Sequence, residues 1–274
     1  SLSPIFKVSP YIMKTRNASQ NFIQDKIEIT PIEAYIREKR AQGMKGFGIM
    51  HVLIAAYVRA VSQRPGINRF IGGQKIYARN NIEVVLTIKK EMKPESPDTV
   101  IKVEFDPKAT ARDVYEKFTA VIEENRREGE SSGFDDTARI LDYIPGLIKK
   151  FVVWALNLLD YFGLLPRALT KVSPFHGSMY ITSMGSLGIP PIYHHLYDFG
   201  NVPVFCAFGP KRRAYELEAD GTVAERKYVD YTFVTDERIC DGFYFASALK
   251  LIRSFLKNPY SLDTPVDFVV QDVE

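Results

Sequence analysis

Thr235-Asp236-Glu237-Arg238-Ile239-Cys240-Asp241-Gly242 follows a β-rich run and opens a helix, and about 55 residues upstream Ile181-Thr182-Ser183-Met184-Gly185-Ser186-Leu187-Gly188 ends another such run. Outward from these two stretches, residues 212–217 and 223–234 read as the arms of a hairpin around Asp220-Gly221. Residues 178–183 and 202–209 read as strands, with an irregular turn at 184–191. Residues 243–256 read as a helix closed by Asn258-Pro259. In the first half, residues 32–40 read as a helix entered through Thr30-Pro31 and closed by Gly43. Residues 47–63 are apolar on almost every face, with Arg59 the only charge, and Pro65 ends them; such a helix belongs in a core. His51 lies on it and reads as a satisfied core histidine rather than a ligand. Residues 82–89 and 100–105 read as strands around an exposed turn at 90–98, residues 110–125 as a helix, and 126–136 as a loop. Mixed strands and helices along the whole length predict one α/β domain over residues 1–274, a two-layer sandwich with a mixed sheet, carrying a helical insertion at about 137–172.

Composition narrows the function. The chain has 274 residues, 46% hydrophobic and 25% charged, which excludes a disordered chain, a collagen and a coiled-coil rod. A net charge of +3 is too balanced for a nucleic-acid binder. Two cysteines, Cys206 and Cys240, exclude a disulfide framework and a cysteine metal cluster, and their apolar flanks fit a reducing cytoplasm. The N-terminal stretch lacks the basic-then-apolar pattern of a signal peptide, so none is expected.

The most apolar segment is residues 151–165, interrupted by Asn157 and Asp160 and bounded by Pro145 and Pro166. It is shorter than the about 20 residues of a membrane span. Lys150, Asn157 and Asp160 fall on one narrow stripe, with the other faces apolar. The expectation is a helix covered by its own domain or by a neighbouring subunit. A helix lying on a membrane surface is the alternative, but a polar face with two lysines fits it poorly, and membrane contact is not expected.

Several chemistries find no motif. His194-His195 is the only close histidine pair, and adjacent residues diverge too far for one metal to take both, so no metal is expected. No phosphate-binding glycine loop and no G-x-S-x-G elbow is present. Lys26, after Asp25, lacks the hairpin context of a lipoylated lysine and reads as an ordinary exposed lysine.

The two opening stretches together resemble the catalytic domain of the dihydrolipoyl acyltransferases, the core of 2-oxoacid dehydrogenase complexes, which shares its fold with chloramphenicol acetyltransferase. The family signature reads roughly D-H-R-x-x-D-G, preceded by an I-S-x-x-G strand end. The resemblance covers most of the chain. Residues 10–16 look like the family's opening helix, 24–40 like its strand and following helix, and 47–68 like its long core helix with a P-x-x-N turn at Pro65 and Asn68. Residues near 135–172 have no counterpart.

The resemblance implies a CoA-dependent acyl transfer in which a histidine takes the thiol proton, and at that position this chain has Glu237. A base works best with a pKa near the operating pH. An ordinary glutamate lies near about 4.3 and a thiol near about 8.5, an equilibrium penalty of roughly 5–6 kcal/mol. Thr182 takes the place of the serine that hydrogen-bonds the oxyanion; it keeps the hydroxyl, although a threonine packed at a strand end is an equal alternative. The resemblance gives Asp241 a structural ion pair, with Arg16 or Arg238 as partner, and puts Gly242 in a tight turn. His176 or His194 could replace the base from another direction. The family implies a homotrimer or larger cage with the site between subunits, and coenzyme A or an acyl-CoA as ligand, with no covalently bound cofactor. The sequence therefore reads as a weakly active or inactive acyltransferase core, with a silent trimeric assembly or ligand-binding module as the alternative.

Overall fold

The computed structural model describes residues 4–89, 98–127 and 142–272. The expected turn at 90–98 and loop at 126–136, and the first residues of the insertion, therefore lie almost wholly outside the described residues. The elements in chain order are α1 (Pro4–Ile12), β1 (Gln20–Glu28), α2 (Thr30–Ala41), α3 (Ile49–Gln63), β2 (Phe70–Gly72), β3 (Lys75–Tyr77), β4 (Ile82–Lys89), β5 (Asp98–Phe105), α4 (Ala111–Arg127), α5 (Gly146–Tyr161), α6 (Arg167–Val172), β6 (Met179–Ser183), β7 (Val204–Leu217), β8 (Val223–Asp236) and α7 (Gly242–Lys257).

Six strands form one mixed sheet in the order β1-β8-β7-β6-β4-β5. The β4–β6 and β6–β7 pairs are parallel and the others antiparallel. Strand alternation sends Val84, Leu86, Ile181, Cys206 and Phe233 into one core with the helices. At its centre lies α3, buried from His51 to Ser62, and α4 and α7 pack against it. This is the expected two-layer α/β architecture. The His51 ring at the start of α3 accepts the backbone N–H of Gly48 at Nδ1 (3.0 Å) and stacks on Phe47, so it is a satisfied core histidine. Burial pushes its pKa down to about 4.

Three local readings are corrected. The opening helix is Pro4–Ile12, not residues 10–16, because Pro10 sits inside its last turn and the chain then bends to deliver Arg16. Residues 202–209 and 212–217 belong to one strand, β7, whose register slips between Phe208 and Lys211, where Gly209-Pro210 interrupts the ladder. The short β2–β3 hairpin was not anticipated, although Gly72-Gly73 between β-formers is a hairpin signal.

The described part of the insertion is helical, in α5 and α6, but it is not covered by its own domain. No residue of α5 is buried. Its Asp160 points inward, accepting from the backbone N–H of Gly200 (3.0 Å) and bonding His176 Nε2 (3.0 Å). Gly73, with φ +52°, lets the hairpin meet α5 closely: a Cβ there would stand 2.6 Å from the Tyr161 carbonyl oxygen. Lys102 Nζ donates to the Thr170 carbonyl of α6 (2.7 Å). The polar stripe partly serves as an anchor, and the apolar side is left outside.

Candidate active site

The end of β8 brings the motif to a buried charge cluster. Asp236, its last residue, is 1% exposed. It accepts from Arg238 Nε (2.8 Å) and Nη2 (2.7 Å), from the Arg238 backbone N–H (3.1 Å) and from Ser19 Oγ (3.2 Å). Arg16 Nε lies 3.5 Å from the same carboxylate. Arg16 also donates to the carbonyls of Tyr197 (2.6 Å) and Gly200 (2.8 Å), so it ties the start of the chain to the loop before β7. Burial lowers the Arg16 pKa and Asp236 opposes that shift.

Asp236 therefore plays the part expected of Asp241. Asp241 is exposed and caps α7, accepting the Tyr244 backbone N–H at 2.6 Å, with neither arginine as partner. Gly242 has open space where a Cβ would stand and no positive φ, so the turn does not require glycine. Arg238 and Arg16 do meet at the site, on Asp236.

Glu237, the next residue, turns outward. Its side chain is exposed, and its backbone N–H donates to the Ser19 carbonyl (2.8 Å). Thr182 is half-buried on β6, paired with Ala207, which pairs in turn with Thr232. Thr232 precedes Glu237 by five residues. Two strand spacings and five residue rises separate Thr182 from Glu237 by roughly 15–20 Å. One chain alone does not bring the hydroxyl and the carboxylate to the same reacting atoms.

The two alternative bases differ. His176 is 4% exposed and engaged at both ring nitrogens, by Ser173 Oγ (2.8 Å) at Nδ1 and Asp160 at Nε2. It is a fastener for the insertion. His194 donates its Nδ1–H to the His195 carbonyl (2.7 Å), which leaves Nε2 as the acceptor. Its ring stacks on Phe205, itself stacked on Tyr180, on the sheet face that also carries Thr182; burial lowers its pKa. His194 and His195 stack on each other, and no metal-binding cluster is found among the described residues.

An open cavity of about 940 Å³ lies beside the charge cluster, walled by Arg16, Arg238, the β2–β3 hairpin, Asp160, His176 and Asn201. Sequence reasoning found Arg16 and Arg238 but missed Asp236 as their shared partner, and missed the Ser173-His176-Asp160 chain. The signal for the first lay inside the motif. For the second no signal exists, because Asp160 and His176 meet only through the fold.

No protein-family model matches the chain, and no curated protein matches it in sequence. Solved structures do match in shape. A probable dihydrolipoamide acetyltransferase from Listeria monocytogenes aligns over 94% of this chain and 94% of its own, with a TM-score of 0.58 and 16% identity. The cubic core of a pyruvate dehydrogenase multienzyme complex aligns over 94% of this chain and 88% of its own, with a TM-score of 0.54 and 12% identity. A chloramphenicol acetyltransferase aligns over 93% and 96%, with a TM-score of 0.52 and 14% identity. The chain thus has the chloramphenicol acetyltransferase-like fold of the dihydrolipoamide acyltransferase cores.

Proposed function

We propose that this chain is an acyltransferase-like core of the 2-oxoacid dehydrogenase type, working as a homotrimer or larger cage in the cytoplasm, with weak or no transfer of acyl groups from coenzyme A. The observation that carries the reading is the placement of Thr182 and Glu237 at opposite ends of the sheet's central strands, in the fold of acyl-transferring proteins. Two subunits would have to supply the two groups, which supports a site between subunits. Acyl-CoA enters as a substrate. Thr182 would donate its hydroxyl hydrogen bond to the oxyanion that forms when a thiol attacks the acyl carbonyl. Glu237 would stand where the thiol proton must go, as an exposed carboxylate. The same exposure favours a second reading, a silent assembly or ligand-binding module.

Thiol acetyl transfer from acetyl-CoA tests both. Wild type is expected to turn over little or not at all, and Glu237→His to raise transfer by roughly 10²–10⁴-fold, the worth of a placed general base. Strong wild-type turnover lost in Glu237→Gln would make the carboxylate itself the base. Turnover indifferent to Glu237 would move the chemistry elsewhere, and His194, with its open Nε2, would be mutated next. A stable monomer by sedimentation would remove the shared-site reading.

A further inference from the structure

We propose that the outer face of α5, together with α1, docks on the surface of an anionic lipid bilayer. Leu147, Phe151, Trp154 and Leu158 recur at i, i+4, i+7 and i+11, one stripe of a helix, and they are 87%, 63%, 57% and 43% exposed. The stripe continues past the helix in Phe162 and Leu164, both 64% exposed. On α1, Ile5, Val8 and Ile12 recur at i, i+3 and i+7, and are 71%, 51% and 75% exposed. Both helices rest on the β2–β3 hairpin, α1 against β3 and α5 through Tyr161, whose hydroxyl donates to Gln74 (2.9 Å). Soluble proteins rarely leave an apolar stripe along a whole helix bare without a partner.

Charge identifies the partner. Residues 4–16, 70–79 and 142–172 together hold nine Lys and Arg and only two acids, Asp142 and Asp160, a local balance of +7 in a chain whose total is +3; of the nine cations, Arg16 is held inward by Asp236 and Arg79 by Asn201, leaving seven for this side. The rest of the chain is therefore net negative. Asp160 is turned inward on His176 and Gly200, and Asp142 is paired with Lys149 (3.4 Å). Lys7, Lys14, Lys75, Lys150, Arg167 and Lys171 remain exposed on the same segments as the apolar residues. Exposed apolar side chains on segments that also expose cations suit the boundary between acyl chains and anionic headgroups. Pairing this face with itself across a two-fold axis would set like charges against each other; a head-to-tail contact with another face of a second copy is the competing occupant, which the oligomeric state separates. No described helix is long and apolar enough to cross a membrane, so the contact is with the surface. The polar face of α5 alone carries two lysines; the fold adds the cations of α1 and of the β2–β3 hairpin on which both helices rest.

Trp154 is the sole tryptophan, so its emission reports on this face. Vesicles of phosphatidylcholine with about 30% phosphatidylglycerol should pull the chain down at least about tenfold better than pure phosphatidylcholine. Binding should weaken as salt rises, and Trp154 emission should shift to the blue on binding. Phe151→Glu should abolish sedimentation while leaving the circular dichroism melt unchanged, and Lys149→Glu with Lys150→Glu should weaken it. The proposal is overturned if the folded protein ignores anionic vesicles with its emission unmoved. It is equally overturned if emission shifts with protein concentration alone and Phe151→Glu lowers the oligomeric state, because the stripe would then be a contact between copies.

Discussion

Helices α3 and α5 are nearly matched in sequence and opposite in fate. Each is 15 or 16 residues long, each is apolar on most faces, and each carries few charges. In α3 twelve residues are buried, whereas in α5 none is. The difference lies in what the rest of the chain supplies. Helix α3, flanked by α4 and α7 above the sheet, finds apolar neighbours on nearly every side. The insertion projects from a finished domain and meets it through a few polar fasteners, Asp160 to His176 and Lys102 to the Thr170 carbonyl. A helix apolar all round states that something covers it. It does not state that its own domain does.

The sharpest way to test the core side of this contrast is at Asp236. The carboxylate compensates two arginines that are no more than 5% exposed. Asp236→Asn keeps the shape and removes the charge, leaving both buried guanidinium groups without the carboxylate that pairs with them. Breaking a buried ion pair from one side costs about 3–5 kcal/mol. Urea unfolding should show a loss of that order. A loss below about 1 kcal/mol would mean that water reaches the cluster, and the division between a sealed body and an open insertion would be less steep than described.

The next effect is pH dependence carried by His51. Its folded pKa is about 4, below the ordinary value of 6.5, because burial in the aromatic cluster of Phe47, Tyr115 and Phe118 disfavours the charged ring. The unfolded chain therefore binds the proton first. The neutral ring's full contribution to stability is present above about pH 6.5, and falls as the pH drops towards about 4, by up to about 3 kcal/mol. His51→Gln should flatten that part of the stability profile. An unchanged slope would assign the acid sensitivity to carboxylates such as Asp25, whose pKa is lowered by hydrogen bonds from Tyr231 and Arg253 against the opposing pull of burial.

The sequence carried the packed body well, and for definite reasons. Residues 47–63 read as a helix apolar on almost every face and Asp220-Gly221 as a hairpin turn, and the fold has the buried helix α3 and the β7–β8 hairpin there. It carried the charge cluster partly: Arg16 and Arg238 were singled out, but the carboxylate between them was misassigned. Asp236 ends a strand and faces in, whereas Asp241 lies past the turn, where its oxygen is used to cap a helix. Four residues of turn, Glu237 to Cys240, decide which acid is buried, and composition is silent about that. The insertion was legible as helix and illegible as a surface, because burial of an apolar stripe depends on neighbours that no local pattern contains.

The smallest expected effect is also the most telling about α5. Leu158 is 43% exposed on the outer stripe. Leu158→Gln keeps a straight side chain of similar helix propensity, so the helix itself should lose little. A side chain that keeps 43% of its surface in water removes only about half the apolar area of a fully buried leucine, so its replacement should cost about 1 kcal/mol. A truncation at Ile54 in α3, 0% exposed, should cost about 2–5 kcal/mol by comparison. Thermal melts of the two variants in dilute, lipid-free buffer give the ratio directly. If Leu158→Gln approaches the cost of Ile54→Ala, the stripe is already covered in solution and the contrast between the two helices fails. If it stays near about 1 kcal/mol without lipid while the melt of the wild-type chain, and not of the variant, rises on adding anionic vesicles, the cover is the bilayer, because a ligand that binds only the folded state stabilises it by an amount that grows with the logarithm of its concentration over its Kd.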